Sequence, residues 1–432
     1  MQTSPQLDAS LPALIFKAGY YPVHHGSAGI IRTLGRLKVP VYAVVEDDFT
    51  PAAMSRFLSG KFVWNTEALD RDALVEGLVR IAQKIGRAVL IPTDDIAAAF
   101  MAEEGDALRE LYAFPRAPRK LAGELANKRR LYQICRQYSI PCPAAVFPAS
   151  IAEVQAFVER AAFPVVMKAA ESQRTPAGLR STSIARSPGE LIALYEQAPA
   201  GANLILQEYI PESCSEDWIY HGYTNPESGC MLGFTGRKLR SYPPFAGPTS
   251  LGVSARNETL RRQSEALLNA IGYAGIMDLD YRFDRRDGQY KLLDFNPRIG
   301  ANFRMFESAA GIDVVRAMHL DMSGRPVPHD PAVDGKVFVV ESYDPFAAIG
   351  YIRRGAITLG DWWRSMKGPK ELAWLSFDDP LPFPVMCGRL LGRSLKRIIP
   401  RPTTAQAPPR EPLFKPAARE AAAAASVHDV ER

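Results

Sequence analysis

The residues of this chain best suited to chemistry lie in one stretch, GIMDLDYRFDRRDGQYKLLDFNPR, Gly275–Arg298. Apolar and polar residues alternate there. Met277, Leu279, Tyr281 and Phe283 fall on one strand face, with Asp278, Asp280 and Arg282 on the other. In the returning strand Leu293 and Phe295 alternate with Leu292, Asp294 and Asn296. Two registers compete at Asp287-Gly288. A two-residue loop pairs Arg286 with Gln289 and mixes polar and apolar groups on both faces. A three-residue loop, Arg286-Asp287-Gly288, pairs Arg285 with Gln289 and gives Gly288 the left-handed position. It sets Asp280 opposite Asp294, Asp278 opposite Asn296 and Leu279 opposite Phe295. One face is then apolar, and register follows that face, so we adopt it. Opposed carboxylates repel unless a cation joins them. Two carboxylates and an amide suit Mg²⁺, completed by waters and phosphate oxygens. Asn296-Pro297-Arg298 adds a guanidinium able to grip phosphate or carboxylate oxygens bidentately. The bland alternative is a solvated acidic sheet face.

Further cations precede the hairpin. Lys128 opens a helix over Asn127–Gln137, and Lys168 ends a strand, Phe163–Lys168. Gly236–Arg240 is a basic strand running into Tyr242-Pro243-Pro244, with Lys238 and Arg240 two apart and hence on one face. It reads equally as a substrate-facing strand or an edge guarded by charge. Around these groups, residues 12–115 alternate strands (Leu14–Phe16, Val39–Val45, Ala88–Pro92) with helices (Gly29–Leu37, Glu67–Ile85), the pattern of a parallel α/β sheet. Gly19, Gly26 and Gly29 make no G-x-G-x-x-G, and we read them as easing the turn and the helix packing. Ser150-x-x-Glu153 and Ser187-Pro188 are helix starts. Leu204–Ile210, Trp218–Thr224 and Met231–Leu239 are strands, Arg256–Ile271 an amphipathic helix, and a last helix runs near Asp313–Met322.

Composition narrows the function classes. The chain has 432 residues, 47% hydrophobic and 23% charged, with a net charge of +5. That is globular composition with too small a basic excess to indicate a nucleic-acid surface. The five cysteines show no C-x-x-C and the six histidines no H-E-x-x-H, which argues against a disulfide scaffold or structural zinc and for a reduced, cytoplasmic setting. No signal peptide or membrane span is expected. Pro384–Arg397 reads as a basic amphipathic helix that rests on a membrane surface or packs on the domain; packing is the reading we adopt.

The ordered set of residues resembles the ATP-grasp superfamily, in particular its carboxylate–amine ligases, among them carbamoyl-phosphate synthetase nucleotide-binding units and D-aspartate ligase-type proteins. The likeness covers residues 116–325, and 12–115 more loosely. It rests on an acid fourteen residues before a second acid in a strand, then x-N-P-R, matched by Asp280, Asp294, Asn296, Pro297 and Arg298. It also rests on Asn127-Lys128 for the family's D-K, on Lys168 in the P-V-V-x-K pattern, and on the hinge strand Gln207-Glu208-Tyr209-Ile210. The resemblance implies that Asp280, Asp294 and Asn296 bind one or two Mg²⁺ ions, with Mn²⁺ an alternative. It places Lys128 and Lys168 on ATP phosphates, Glu208, Tyr209 and Ile210 at adenine, and Glu216 on the ribose with Asp217 the fallback. Arg298 and Lys238 would be catalytic, and Arg240 and Arg304 (in GANFR, Gly300–Arg304) would contact substrate. The lid loop Ala169–Ser183 departs from the glycine-rich pattern, and Arg174, Arg180 and its hydroxyls would replace amide contacts.

The implied fold is an N-terminal parallel α/β domain (12–115), then a two-lobed ATP-grasp domain (116–325). Its lid lobe is about 142–205 and its metal-binding lobe about 206–325. A C-terminal extension (326–400) and a disordered tail (401–432) follow. The implied activity is ATP-dependent: a carboxylate becomes an acyl phosphate, and an amine displaces phosphate. The Pro141–Pro143 bend and the lid loop would move to exclude water. An ATP-grasp kinase, a carboxylase-like enzyme and a non-catalytic nucleotide-binding scaffold are the alternatives. Expected partners are small-molecule carboxylates and amines, with no nucleic acid; a homodimer is compatible with the reading.

Overall fold

The computed structural model describes residues 6–67, 69–170, 182–199, 201–245, 247–368 and 370–398. Three sheets organise them. The first is parallel, in the order β3-β2-β1-β4-β5, from β1 (Ala13–Phe16), β2 (Val41–Val45), β3 (Gly60–Val63), β4 (Ala88–Pro92) and β5 (Tyr112–Ala113). β1, β2 and β4 are buried and almost wholly apolar, as parallel strands covered on both faces require, while β3 is the more exposed edge. Strand order reverses between β1 and β4, so the chain segments leaving these two strands flank a crevice, the usual place for ligands in such sheets. Asp94 ties them together: one carboxylate oxygen accepts from the amides of Ala18 and Gly19 at 2.9 Å each, and the other caps the helix Asp95–Glu103.

The second sheet, β6-β9-β7-β8, forms a small lobe from β6 (Ala145–Val146), β7 (Val165–Ala169), β8 (Thr182–Ala185) and β9 (Leu204–Glu208). Ser150 and Ser187 cap its two helices, as their spacing predicts. Most of the expected lid loop, including Arg174 and Arg180, lies outside the described residues, as does the expected tail.

The third sheet has seven strands in the order β14-β13-β10-β11-β12-β15-β16. They are β10 (Ser215–Asn225), β11 (Cys230–Ser241), β12 (Thr249–Ser254), β13 (Gly275–Asp284), β14 (Gln289–Asn296), β15 (Val337–Val339) and β16 (Lys370–Leu372). One face packs under the helices Lys128–Gln137 and Glu258–Ile271 through Trp218, Tyr220, Met277, Leu279 and Tyr281. Ile219, Phe234, Phe303 and Phe306 on the other side join the core of the first sheet.

The C-terminal segment is not appended to this body but woven into it. β15 and β16 extend the large sheet, and Trp374 is fully buried in the core of the first sheet. The helix Pro382–Ile398 packs Met386 into that core and pairs Arg389 with Asp47 at 2.6 and 2.8 Å, so the packing alternative holds. Among the described residues no helix is long and apolar enough to cross a membrane. Gly26 and Gly29 take the packing role expected of them. A Cβ on Gly26 would lie 2.9 Å from Ala301 Cα, and one on Gly29 2.9 Å from the Phe303 ring.

Arg32 locks the segment down. It is buried on the helix His25–Gly35, donates to Asp379 Oδ2 at 2.9 Å, and reaches the Trp374 carbonyl at 2.6 Å. Removing it would leave Asp379 charged and buried. Arg32→Met is therefore expected to lower unfolding stability by about 3–5 kcal/mol, measured by urea titration.

Candidate functional site

The site grows from the β13–β14 pairing. Asp278 faces Asn296, Leu279 faces Phe295 and Asp280 faces Asp294, as the alternation requires. The turn differs from expectation. Asp284, not Arg285, pairs with Gln289, and an extra residue is absorbed as a bulge between Asp280 and Tyr281. The bulge lets Leu292 and Phe295, three apart, enter the same core. Asp284 closes the turn, accepting from the Arg286 amide at 3.0 Å and from Lys291 Nζ at 2.8 Å, with Gly288 at φ +71°.

Each opposed carboxylate carries its own ammonium. Lys238 Nζ lies 2.9 Å from Asp280 Oδ1, and Lys128 Nζ lies 3.0 Å from Asp294 Oδ2. Lys128 is held at the first helical position because Asn127, the residue replacing the family's Asp, caps the helix by accepting from the Arg130 amide at 3.1 Å. The two carboxylates differ electrostatically. Burial and the neighbouring Asp278 and Asp294 push Asp280 upward despite Lys238. Burial also opposes the charge on Asp294, but Lys128, Lys168 and Arg298 hold it below its ordinary value. The Lys168 side chain, on β7 of the small lobe, makes no hydrogen bond or ion pair among the described residues. Burial, then the Lys128 cation, push its ammonium down to about 7.

Arg298 closes the far end. It donates to Asn296 Oδ1 at 3.0 Å and lies 3.6 Å from Asp278 Oδ2 and 3.3 Å from Asp95 Oδ1, which belongs to the crevice of the first sheet. Asn296 in turn donates to the Asp278 carbonyl at 3.1 Å. Sequence reasoning gave no role to three neighbours of this end. Asp95, at the start of the helix after β4, reaches Arg298 across a long stretch of chain, which no local pattern signals. Asp278 and the fully buried His221 lie 3.1 Å apart, close but not aligned for a hydrogen bond, and they pack against Gly300. The signal for His221 was its strand parity with Asp217 on β10.

Three assignments change. Glu216 falls on the β10 face carrying Trp218 and Tyr220, and pairs with Arg285 and Arg237. Asp217, the fallback, shares the face of Asp280 and binds Arg282 at 2.7 and 3.0 Å. Arg240 does not continue the face of Lys238, because a bulge between them breaks the alternation. It is buried in a bidentate pair with Asp344, 2.9 Å at each oxygen. Arg304 is likewise buried, against Asp313 at 2.5 Å and Glu371 at 3.4 Å, so neither arginine is free for substrate. Glu208 ends β9 at the junction between lobes, accepting from the Ala144 amide, Arg286 and Lys291. Tyr209 donates to Glu212, and the Ile210 carbonyl accepts from Arg282 at 3.3 Å. The Pro141 carbonyl accepts from the Leu292 amide at 2.8 Å, tying the proline bend to β14.

The donor set fits Mg²⁺. Asp280 and Asp294 oppose each other with Asn296 two residues beyond Asp294 on β14, its Oδ1 accepting from Arg298, and Lys128 and Lys238 supply the carboxylates with countercharge. Among the described residues no three His, Cys, Asp or Glu groups converge into a closed protein cage.

Comparison with known proteins agrees with this arrangement. Residues 247–326 match the family model for the carbamoyl-phosphate synthase L chain, ATP binding domain. D-Aspartate ligase of Enterococcus faecium is 24% identical over 295 residues, spanning 63% of this chain and 68% of that one. The ADP complex of N5-carboxyaminoimidazole synthetase from Staphylococcus aureus superposes with a TM-score of 0.57 at 11% identity, over 77% of this chain and 83% of that one. The biotin carboxylase domain of Hydrogenobacter thermophilus 2-oxoglutarate carboxylase, with MgADP and bicarbonate, gives 0.55 at 15% identity, over 74% and 72%.

Two outcomes follow from the geometry. A phosphate placed on Lys168 restores its charge, so its titration moves from about 7 back toward 10.5. Mg-ATP binding at about pH 8.5 should then take up close to one proton, and affinity should fall as pH rises above about 7. Calorimetry in buffers of different ionisation enthalpy should show this uptake, and Lys168→Met should abolish it. At Gly300 a Cβ would lie 2.1 Å from His221 Nε2 and 2.5 Å from Asp278 Oδ2. Gly300→Ala should displace that pair, and Arg298 with it, lowering steady-state turnover at least about tenfold.

Proposed function

We propose that this chain is a member of the ATP-grasp superfamily, a reading its similarities support, and that it is an ATP-dependent ligase that activates a carboxylate as an acyl phosphate and joins it to an amine. The observation that carries the reading is the opposed pair Asp280–Asp294, set between Lys238 and Lys128 with Arg298 at its open end.

In this reading the parts divide the work. The junction Glu208–Ile210 receives adenine, and Asp217 rather than Glu216 serves the ribose. Lys128 and Lys168 neutralise the phosphates. Asp280, Asp294 and Asn296 hold one or two Mg²⁺ ions, which when bound supply positive charge to the phosphate oxygens. Phosphoryl transfer needs alignment and charge neutralisation more than a protein nucleophile. Arg298 orients the attacking carboxylate toward the γ-phosphorus, and Lys238 stabilises charge on the acyl phosphate. The amine then attacks the acyl carbon and phosphate leaves. An acyl phosphate hydrolyses in water, so the small lobe must close over it. None of the five cysteines or six histidines is needed as a nucleophile. Residues 12–115 and 116–325 are the units we assign to substrate entry and to nucleotide chemistry.

The test is ADP release from Mg-ATP with pooled carboxylates, D-aspartate and bicarbonate included, and hydroxylamine as the amine. ADP plus a hydroxamate is expected, falling at least about a hundredfold in Asp294→Asn. Tight ATP binding with no ADP from any pool would contradict the reading.

A further inference from the structure

Arg282 has no part in the division of work above, yet it stands between the metal acids and the junction of the lobes. It lies on β13, two residues past Asp280 and on the same face. Its neighbours in the sheet are Lys291 on β14 and Asp217 on β10. Lys291 is engaged by Asp284 at 2.8 Å and Asp287 at 2.9 Å. Arg282 instead grips Asp217 with two parallel bonds, Nε to Oδ1 at 2.7 Å and Nη2 to Oδ2 at 3.0 Å. Its other terminal nitrogen, Nη1, donates to the Ile210 carbonyl at 3.3 Å.

This fork fixes both oxygens of Asp217 and leaves each a lone pair for an incoming donor. Among the described residues the Asp217 carboxylate takes no hydrogen bond or ion pair except from Arg282. The Asp217 side chain is 26% exposed and that of Arg282 15%, so the acid can be reached while its holder is largely covered. Strand pairing sets the order along the site. Asp280 pairs with Ile219 and Arg282 with Asp217, a step of two residues, or about 7 Å. The Ile210 carbonyl comes next, bound by the same guanidinium. Metal acid, held carboxylate and junction carbonyl succeed one another as phosphate, pentose and base do in a nucleotide.

We propose, resting on the nucleotide assignments of the ligase reading above, that Arg282 is a positioning residue for the pentose. By tying Asp217 to the Ile210 carbonyl it holds that carboxylate as acceptor for the 2′- and 3′-hydroxyls. The site then selects a ribonucleotide over its dideoxy counterpart. A positive charge alone does not do this, because an ammonium has no planar fork to hold two oxygens in one orientation.

The test titrates the full chain calorimetrically with MgADP and with the Mg²⁺ complex of 2′,3′-dideoxy-ADP. The wild type should prefer ADP at least about tenfold, since the analogue leaves a held acceptor unpaired. Arg282→Met and Arg282→Lys should each weaken ADP about tenfold and leave dideoxy-ADP within about twofold, which erases the preference. Asp217→Ala should do the same, and adding Arg282→Met to it should cost nothing further. Dideoxy-ADP binding shows that a variant is folded, and if Arg282→Met binds neither nucleotide, Arg282→Lys decides. Arg282→Lys that keeps the preference, or that weakens both nucleotides equally, overturns the proposal, because Arg282 would then act through its charge. So does a wild type that binds both nucleotides equally. These results leave the ligase reading intact, as the hydroxamate assay would show. A wild type that binds neither nucleotide and releases no ADP contradicts the ligase reading, and the proposal falls with it.

Discussion

Two carboxylates directly opposed on neighbouring strands repel, and everything around Asp280 and Asp294 answers that repulsion. Lys238 comes from β11 on one side and Lys128 from a helix N-terminus on the other. Arg298 and Lys168 add further positive charge at longer range. The cluster is balanced without ligand but strained in particular members. Asp280 is pushed toward its neutral form and Lys168 toward its neutral amine, so each gains when a cation or an anion arrives. Acids and ammonium groups in this order are what the proposed function uses to receive a metal–polyphosphate pair.

The rest of the fold holds these charges in register. The large sheet fixes the strand pairing, and the small lobe carries Lys168 over it. The parallel sheet brings its switch-point crevice to Arg298 through Asp95. The C-terminal segment completes the large sheet and plugs the parallel sheet with Trp374 and Asp379. It also pairs Asp344 with the buried Arg240 of β11.

How much of this the sequence discloses depends on whether a position is governed by local alternation. The register at Asp280 and Asp294 was legible because a one-residue slip would expose Leu279 and Phe295. The turn was misread because a bulge and a longer loop compensate each other, leaving the site register unchanged while Asp284 replaces Arg285 opposite Gln289. Arg240 was misread for the same reason, a bulge hidden inside an otherwise regular strand. Glu216 was chosen by spacing alone, and strand parity favours Asp217. β15 and β16, three residues each, are too short to carry a periodic signal, β12 is buried at almost every position and so shows no alternation, and β16 pairs with β15 across a long excursion. Contacts such as Asp95 to Arg298 and Asp379 to Arg32 join residues far apart in the chain, where no single-sequence pattern reaches.

The central claim is that a carboxylate oxygen attacks the γ-phosphorus of ATP at this cluster. Labelling the carboxylate oxygens of the turned-over acid with ¹⁸O and analysing the released phosphate by mass spectrometry tests it directly. The account predicts one ¹⁸O atom per phosphate, because the acyl–oxygen bond breaks when the amine displaces phosphate. Phosphate free of label, with ADP and product formed at the same rate, would contradict it.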